Sequence, residues 1–162
     1  MKLKKYLPEF VYGGIDGTIT TFAIVSGVVG ASLSSSIILI LGFANLFADG
    51  FSMAVSDYLS EKSREDLSKK RGKSLATKRA AVTFFSFLII GFIPLLSFVF
   101  GFKNQYIFSA VLTALALIIV GYFKGTLTGK SKFKSSLQTL IVGGIAASIA
   151  FFVGYFIKNL IA

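Results

Sequence analysis

Residues 36–59 read SIILILGFANLFADGFSMAVSDYL. The run is long and apolar enough to cross a bilayer as a helix, which takes about 20 residues. Yet it carries Asp49 in its middle and Asp57 near its end. The stretch before it, residues 10–31, reads FVYGGIDGTITTFAIVSGVVGA and repeats the arrangement with Asp16. A carboxylate at membrane depth costs about 2.5 to 3.5 kcal/mol on insertion scales. Residues kept at that cost mark ion pathways, proton relays or bound cations.

Working outward, three further apolar blocks complete the pattern, at residues 80–101, 106–123 and 138–157. The expected fold is an all-α integral membrane protein with five transmembrane helices, one membrane domain over residues 1–162. The composition agrees: 54% of residues are hydrophobic and 15% charged, against about 25% charged in a soluble domain. The first block does not read as a removable signal, because it is long, holds Asp16 and lacks a small-residue cleavage site. Cysteine and histidine are both absent. Disulfides, thiolate metal sites and imidazole ligation are therefore excluded. Any bound metal must use carboxylate, amide or backbone oxygens, or thioether sulfur. No resident cofactor is expected.

The single substantial polar segment is residues 60–79, SEKSREDLSKKRGKSLATKR. It reads as a continuation of the second helix with a break near Gly72. Its basic residues are Lys62, Arg64, Lys69, Lys70, Arg71, Lys73, Lys78 and Arg79. Lys2, Lys4 and Lys5 precede the first span, and Lys124, Lys130, Lys132 and Lys134 flank the fourth-to-fifth connection. Only Lys103 and Lys158 of the 17 basic residues fall on the other side. The positive-inside rule then expects a cytoplasmic N-terminus and an outer C-terminus. The formal charge of +10 is spread over three membrane-flanking segments, so it is topology and attraction to anionic lipid rather than a nucleic-acid surface.

With that orientation Asp16 lies about 9 Å, and Asp49 about 14 Å, from the cytoplasmic ends of their helices, at 1.5 Å rise per residue. Met53 falls in the same slab. Asn45, Asp49, Met53 and Asp57 recur every four residues and share one face of the second helix. Their oxygens can replace the water shell of a divalent cation, and the thioether favours a softer ion such as iron(II) over magnesium or calcium. A carboxylate that takes up a proton as the metal leaves would couple the two fluxes. This points to a divalent-metal transporter. The plainer readings are that Asp16, Asp49 and Asn45 hydrogen-bond between helices and that Met53 only packs. Asp57, Glu61 and Glu65 extend the face toward the cytosol as an entrance for cations, or as a solvated, lysine-paired surface. Gly13, Gly14, Gly17 and Gly50 serve close packing or a loosened helix, and Pro94 should kink the third span. The third and fourth spans, nearly free of polar residues, read as lipid-facing scaffold.

Two stretches, YGGIDGTITTFAIVSGVVGA at 12–31 and LGFANLFADGFSMAVSDYLS at 41–60, resemble the vacuolar iron transporter family. The resemblance implies a five-helix protomer that dimerises, with the first helices of both protomers lining a central pathway. It implies export of Fe2+, and often Mn2+, from the cytosol in exchange for protons, with the pathway residues falling on Asp16 and Met53. Two departures stand out. Better-studied eukaryotic members have a glutamate at Asn45 and a small residue at Asp49, as if the acid had moved one turn. They also carry a long cytosolic insert rich in glutamate and methionine, whereas residues 60–79 are short and basic, with Glu61, Glu65 and Asp66 as the acids. The chain is similar to a shorter, insert-lacking branch.

The alternatives are transport of another cation or of protons alone, a purely structural membrane protein, and an intramembrane metal-dependent headgroup transferase. Those enzymes space several aspartates in one helix region after an Asp-Gly pair, with an arginine nearby. Here no acid follows Asp16 until Asp49 and no arginine precedes Arg64, so no enzymatic activity is expected. The lack of a targeting extension fits a prokaryotic inner (plasma) membrane.

Overall fold

The computed structural model describes residues 5–68 and 75–161, and every element among them is helical. The elements are α1 (Leu7–Gly30), α2 (Ser35–Ser68), α3 (Ala76–Gly91), a 3-10 turn (Ile93–Leu95), α4 (Leu96–Val99), α5 (Gln105–Thr128) and α6 (Lys132–Ile161). Counting α3 through α4 as one, five helical segments are long and apolar enough to cross a membrane. Lys2, Lys4, Lys69, Lys70, Arg71 and Lys73, and the helix break expected near Gly72, lie outside the described residues.

Helix ends follow local chemistry. Pro8 opens α1, where its missing N–H costs nothing. Gly129 closes α5 at φ 71°, its N–H donating to the Gly125 carbonyl. The third span is broken where Pro94 cannot donate, and the chain tightens into the 3-10 turn with Leu95 N–H on the Phe92 carbonyl at 3.0 Å. The Pro94 carbonyl is claimed instead by the Ser109 hydroxyl of α5 at 2.6 Å. α2 runs to Ser68, past the expected membrane limit at Leu59, and α6 begins at Lys132, ahead of Gln138. These extensions are amphipathic turns that an apolar-run criterion stops short of.

α1 is the hub, touching α2, α3, α5 and α6. Tails of lipid are as apolar as leucine, so helices in a bilayer associate through close packing. Gly13 and Gly17 put the α1 backbone directly on α3: a Cβ at Gly17 would sit 2.5 Å from the Phe87 carbonyl oxygen. Gly27 meets Gly154 of α6 in the same manner. The buried apolar core joins Phe22, Val25 and Val28 of α1 to Ile38 and Leu46 of α2, Phe87 of α3, and Leu95 and Phe98 beyond it. The third span is therefore lipid-facing scaffold on one face only, where Phe85 and Ile89 are exposed. Thr83, Ser86 and Phe87 are buried against α1 and α2. The fourth span likewise buries Ser109 and Thr113. The most exposed span is α6, with Ile141, Ile145, Ile149, Phe152 and Phe156 on its outer face.

Candidate functional site

The glycine seam fixes where α1 can point its polar residues. With Gly13 and Gly17 against α3, the face carrying Asp16 and Thr20 turns toward α2. There Asn45 Nδ2 donates to Thr20 Oγ1 at 3.3 Å, and Thr20 Oγ1 donates to the Asp16 carbonyl at 2.9 Å. The two helices run antiparallel, so one turn from this bridge Asp16 and Asp49 stand opposite each other. Their carboxylates lie within electrostatic range. A further turn brings Met53, half-buried against the apolar core. Asp16, Asn45 and Asp49 are also half-buried. The structure thus brings Asp16, Asn45 and Asp49 together across one seam, with Thr20 as the bridge between helices.

The rest of the α2 stripe has a different surrounding. Asp57 Oδ2 accepts from Thr83 Oγ1 at 2.7 Å, which turns it toward α3. Glu61 Oε2 accepts from Arg79 Nη1 at 3.2 Å. Glu65 Oε1 accepts from the Leu75 N–H at 3.1 Å, and its other oxygen is 3.7 Å from Lys62 Nζ. Asp57, Glu61 and Glu65, expected to face the cytosol, are thus each paired with a group on or leading into α3. Gly50 does not loosen its helix. It packs where a Cβ would meet Leu88 at 3.0 Å and Phe87 at 3.2 Å.

Sequence reading missed Glu9 and Arg79. Glu9 is only 5% exposed, and its Oε1 lies 3.0 Å from Arg79 Nη1. In sequence Glu9 is an ordinary acid in a helix's first turn, favourable to the dipole. Arg79 is one of many cations in a basic segment. Only the fold pairs them.

Chemically, the α1–α2 seam offers carboxylate oxygens from two helices, an amide, a hydroxyl and a neighbouring thioether. Hard and borderline divalent cations take such oxygens, and sulfur shifts preference toward the softer ones. Among the described residues no three Asp, Glu, His or Cys side chains converge into a metal-holding group. A broad hollow along α6, among Ile141, Ile145, Ile149 and Phe152, is apolar apart from Ser148.

A sequence model of the VIT family matches residues 7–75 and 67–155. A vacuolar iron transporter of Toxoplasma gondii is 28% identical, over 92% of this chain and 73% of that protein. A vacuolar iron transporter of Plasmodium falciparum is 26% identical over 96% and 84%. Vacuolar iron transporter 1 of Arabidopsis thaliana is 27% identical over 88% and 82%. The first two alignments run over 221 and 228 positions, more than the 162 residues of this chain. Those relatives hold segments this chain lacks. The family match itself divides at residues 67–75, in the connection between α2 and α3.

Proposed function

The chain belongs to the VIT family, and on that premise we propose that it exports Fe2+, with Mn2+ as a second substrate, from the cytosol in exchange for protons. The observation that carries the reading is the convergence of Asp16, Asn45 and Asp49 at one seam inside the membrane-spanning segments, bridged through Thr20. A half-buried pair of acids from two helices is costly in a bilayer unless an ion or proton uses it. Relatives named as vacuolar iron transporters support iron as the cargo, and Met53 beside the acids suits a borderline ion better than magnesium.

In this mechanism the basic end of the bundle faces the cytosol. Lys5, Lys62, Arg64, Lys78, Arg79, Lys124, Lys130, Lys132 and Lys134 gather there, against Lys103 and Lys158 at the other end, as the positive-inside rule requires. Fe2+ sheds water onto Asp16, Asp49 and the Asn45 amide. Protons from the far side compete for the same carboxylates and release it outward. Two protomers, each contributing its α1–α2 seam, complete the coordination shell that one leaves open. The working unit is thus a homodimer, and the lipid bilayer is its other partner. The reaction is transport rather than catalysis, and the metal is cargo rather than cofactor.

The test is uptake of Fe2+ and Mn2+ into proteoliposomes, with and without an imposed pH gradient. Flux that follows the gradient for either ion supports proton-coupled export. Flux of protons without metal, or of neither, overturns it.

A further inference from the structure

The cytosolic end of α2 and the start of α3 meet in a ladder of polar contacts. Asp57, Glu61 and Glu65 on α2 are spaced by four; Leu75, Arg79 and Thr83 facing them are spaced by four in the opposite direction. Thr83 holds Asp57 at 2.7 Å, Arg79 holds Glu61 at 3.2 Å, and the Leu75 N–H holds Glu65 at 3.1 Å. The middle rung also crosses to α1, because the same Arg79 Nη1 reaches Glu9 at 3.0 Å. One guanidinium nitrogen therefore ties three helices together. Along the helices the tie lies about 10 Å from Asp16 and about 12 Å from Met53, toward the basic end.

The tie is not built as a permanent strut. A structural arginine commonly grips one carboxylate with two parallel hydrogen bonds, but here a single nitrogen is shared. Glu9 Oε2 and Arg79 Nε are both buried without a hydrogen-bond partner. Arg64 stands 4.0 Å from Glu61 with its side chain 74% exposed, so its pairing is weak. Two carboxylates thus share one nitrogen of a half-buried guanidinium, while Glu9 Oε2 and Arg79 Nε are left over. Such incompletely satisfied ion pairs are poor stabilisers, and a switch is their best-attested use.

Resting on the transport reading, we propose that Arg79 is the cytosolic gate: a tethered cation that closes the mouth of the pathway by holding Glu9 and Glu61 together. Opening separates α3 from α1 and α2 at this level and exposes the acidic ladder, Asp57 included, as the route down to Asp49 and Met53. A cation arriving from the cytosol meets carboxylates already arranged for a positive charge.

The chain has no cysteine, which makes accessibility directly measurable. Met53→Cys, beside the seam, and Ala23→Cys, on α1 toward the opposite end, are each placed in the full chain in lipid nanodiscs. Each is labelled with a charged, membrane-impermeant thiol reagent. Adding Arg79→Gln should speed labelling of the Met53→Cys protein by about tenfold or more, as a shifted open–closed equilibrium requires, and leave the Ala23→Cys protein unchanged. If Arg79→Gln does not yield folded protein, Glu61→Gln serves. It leaves the Glu9–Arg79 pair and should give a smaller increase at the same position only. Equal acceleration at both positions, or none at Met53→Cys, overturns the gate. The readout involves no transport, so a failed flux experiment and a failed gate are told apart.

Discussion

Replacing Gly17 by alanine tests the frame on which the site hangs. The added Cβ would lie 2.5 Å from the Phe87 carbonyl oxygen, 3.0 Å from its Cα and 3.1 Å from its carbonyl carbon. All three are backbone atoms, so no rotamer change relieves the contact. Gly91 packs reciprocally on the Gly17 carbonyl, so α1 and α3 must separate by about 0.5 to 1 Å to restore normal packing. Overpacking of this kind costs about 1 to 3 kcal/mol, and rigid backbone places it near the top. The better helix propensity of alanine returns up to about 1 kcal/mol. The net loss is about 2 kcal/mol, or about 4 to 8 °C in unfolding temperature for a chain of this size. Gly144→Ala is the control, since nothing lies within 4 Å of its added Cβ. That variant should be as stable as the parent or slightly more so. The assay is thermal unfolding of both variants in the same detergent, followed by light scattering and intrinsic tyrosine fluorescence. Equal stability of Gly17→Ala and the parent, or equal damage from both variants, would refute the tight α1–α3 seam. It would also remove the reason for Asp16 to face α2.

Three other substitutions separate structure from transport. Thr83→Val keeps the bulk but removes the donor to Asp57; it should cost about 1.5 kcal/mol, the low end for a hydrogen bond to a charged group, read by the same unfolding assay. Ser109→Ala removes the donor to the Pro94 carbonyl and should cost about 1 kcal/mol, again read by unfolding temperature, with metal flux retained. Asn45→Ala breaks the bridge to Thr20. Interhelical hydrogen bonds in membranes average about 0.6 kcal/mol, so the protein should unfold within a few degrees of the parent, while Fe2+ flux in proteoliposomes falls severalfold.

The sequence made the spans legible because a bilayer imposes a length and a polarity on every crossing segment. The Asp16, Asn45 and Asp49 set was legible for a related reason. Polar residues inside an apolar run are few, and a spacing of four fixes their shared face on α2. The break at Pro94 follows from a missing N–H and needs no tertiary knowledge. What composition hid was partnership. Phe87 and Leu88 read as lipid contacts, yet Phe87 is fully buried because α1 offers glycine backbone there. The pattern Gly13, Gly17 on α1 and Gly91 at the end of α3 was the available trace of that seam. Glu9 and Arg79 left no trace, because a surface acid and a loop cation are common and their pairing spans 70 positions. Asp57, Glu61 and Glu65 share a face by their spacing, but their pairing with Thr83, Arg79 and the Leu75 N–H is a tertiary fact that spacing does not carry.

The claim that Asp16 and Asp49 carry metal and proton by turns is tested most directly by recording both ions together. Parent and Asp16→Asn proteins are reconstituted at equal, correctly folded amounts, with a metal-sensitive dye and a pH-sensitive dye inside the same liposomes. The account predicts that Fe2+ uptake by the parent is accompanied by proton release, and that both signals vanish together in Asp16→Asn. Metal uptake that persists in the variant, or that proceeds without proton movement in the parent, would contradict it.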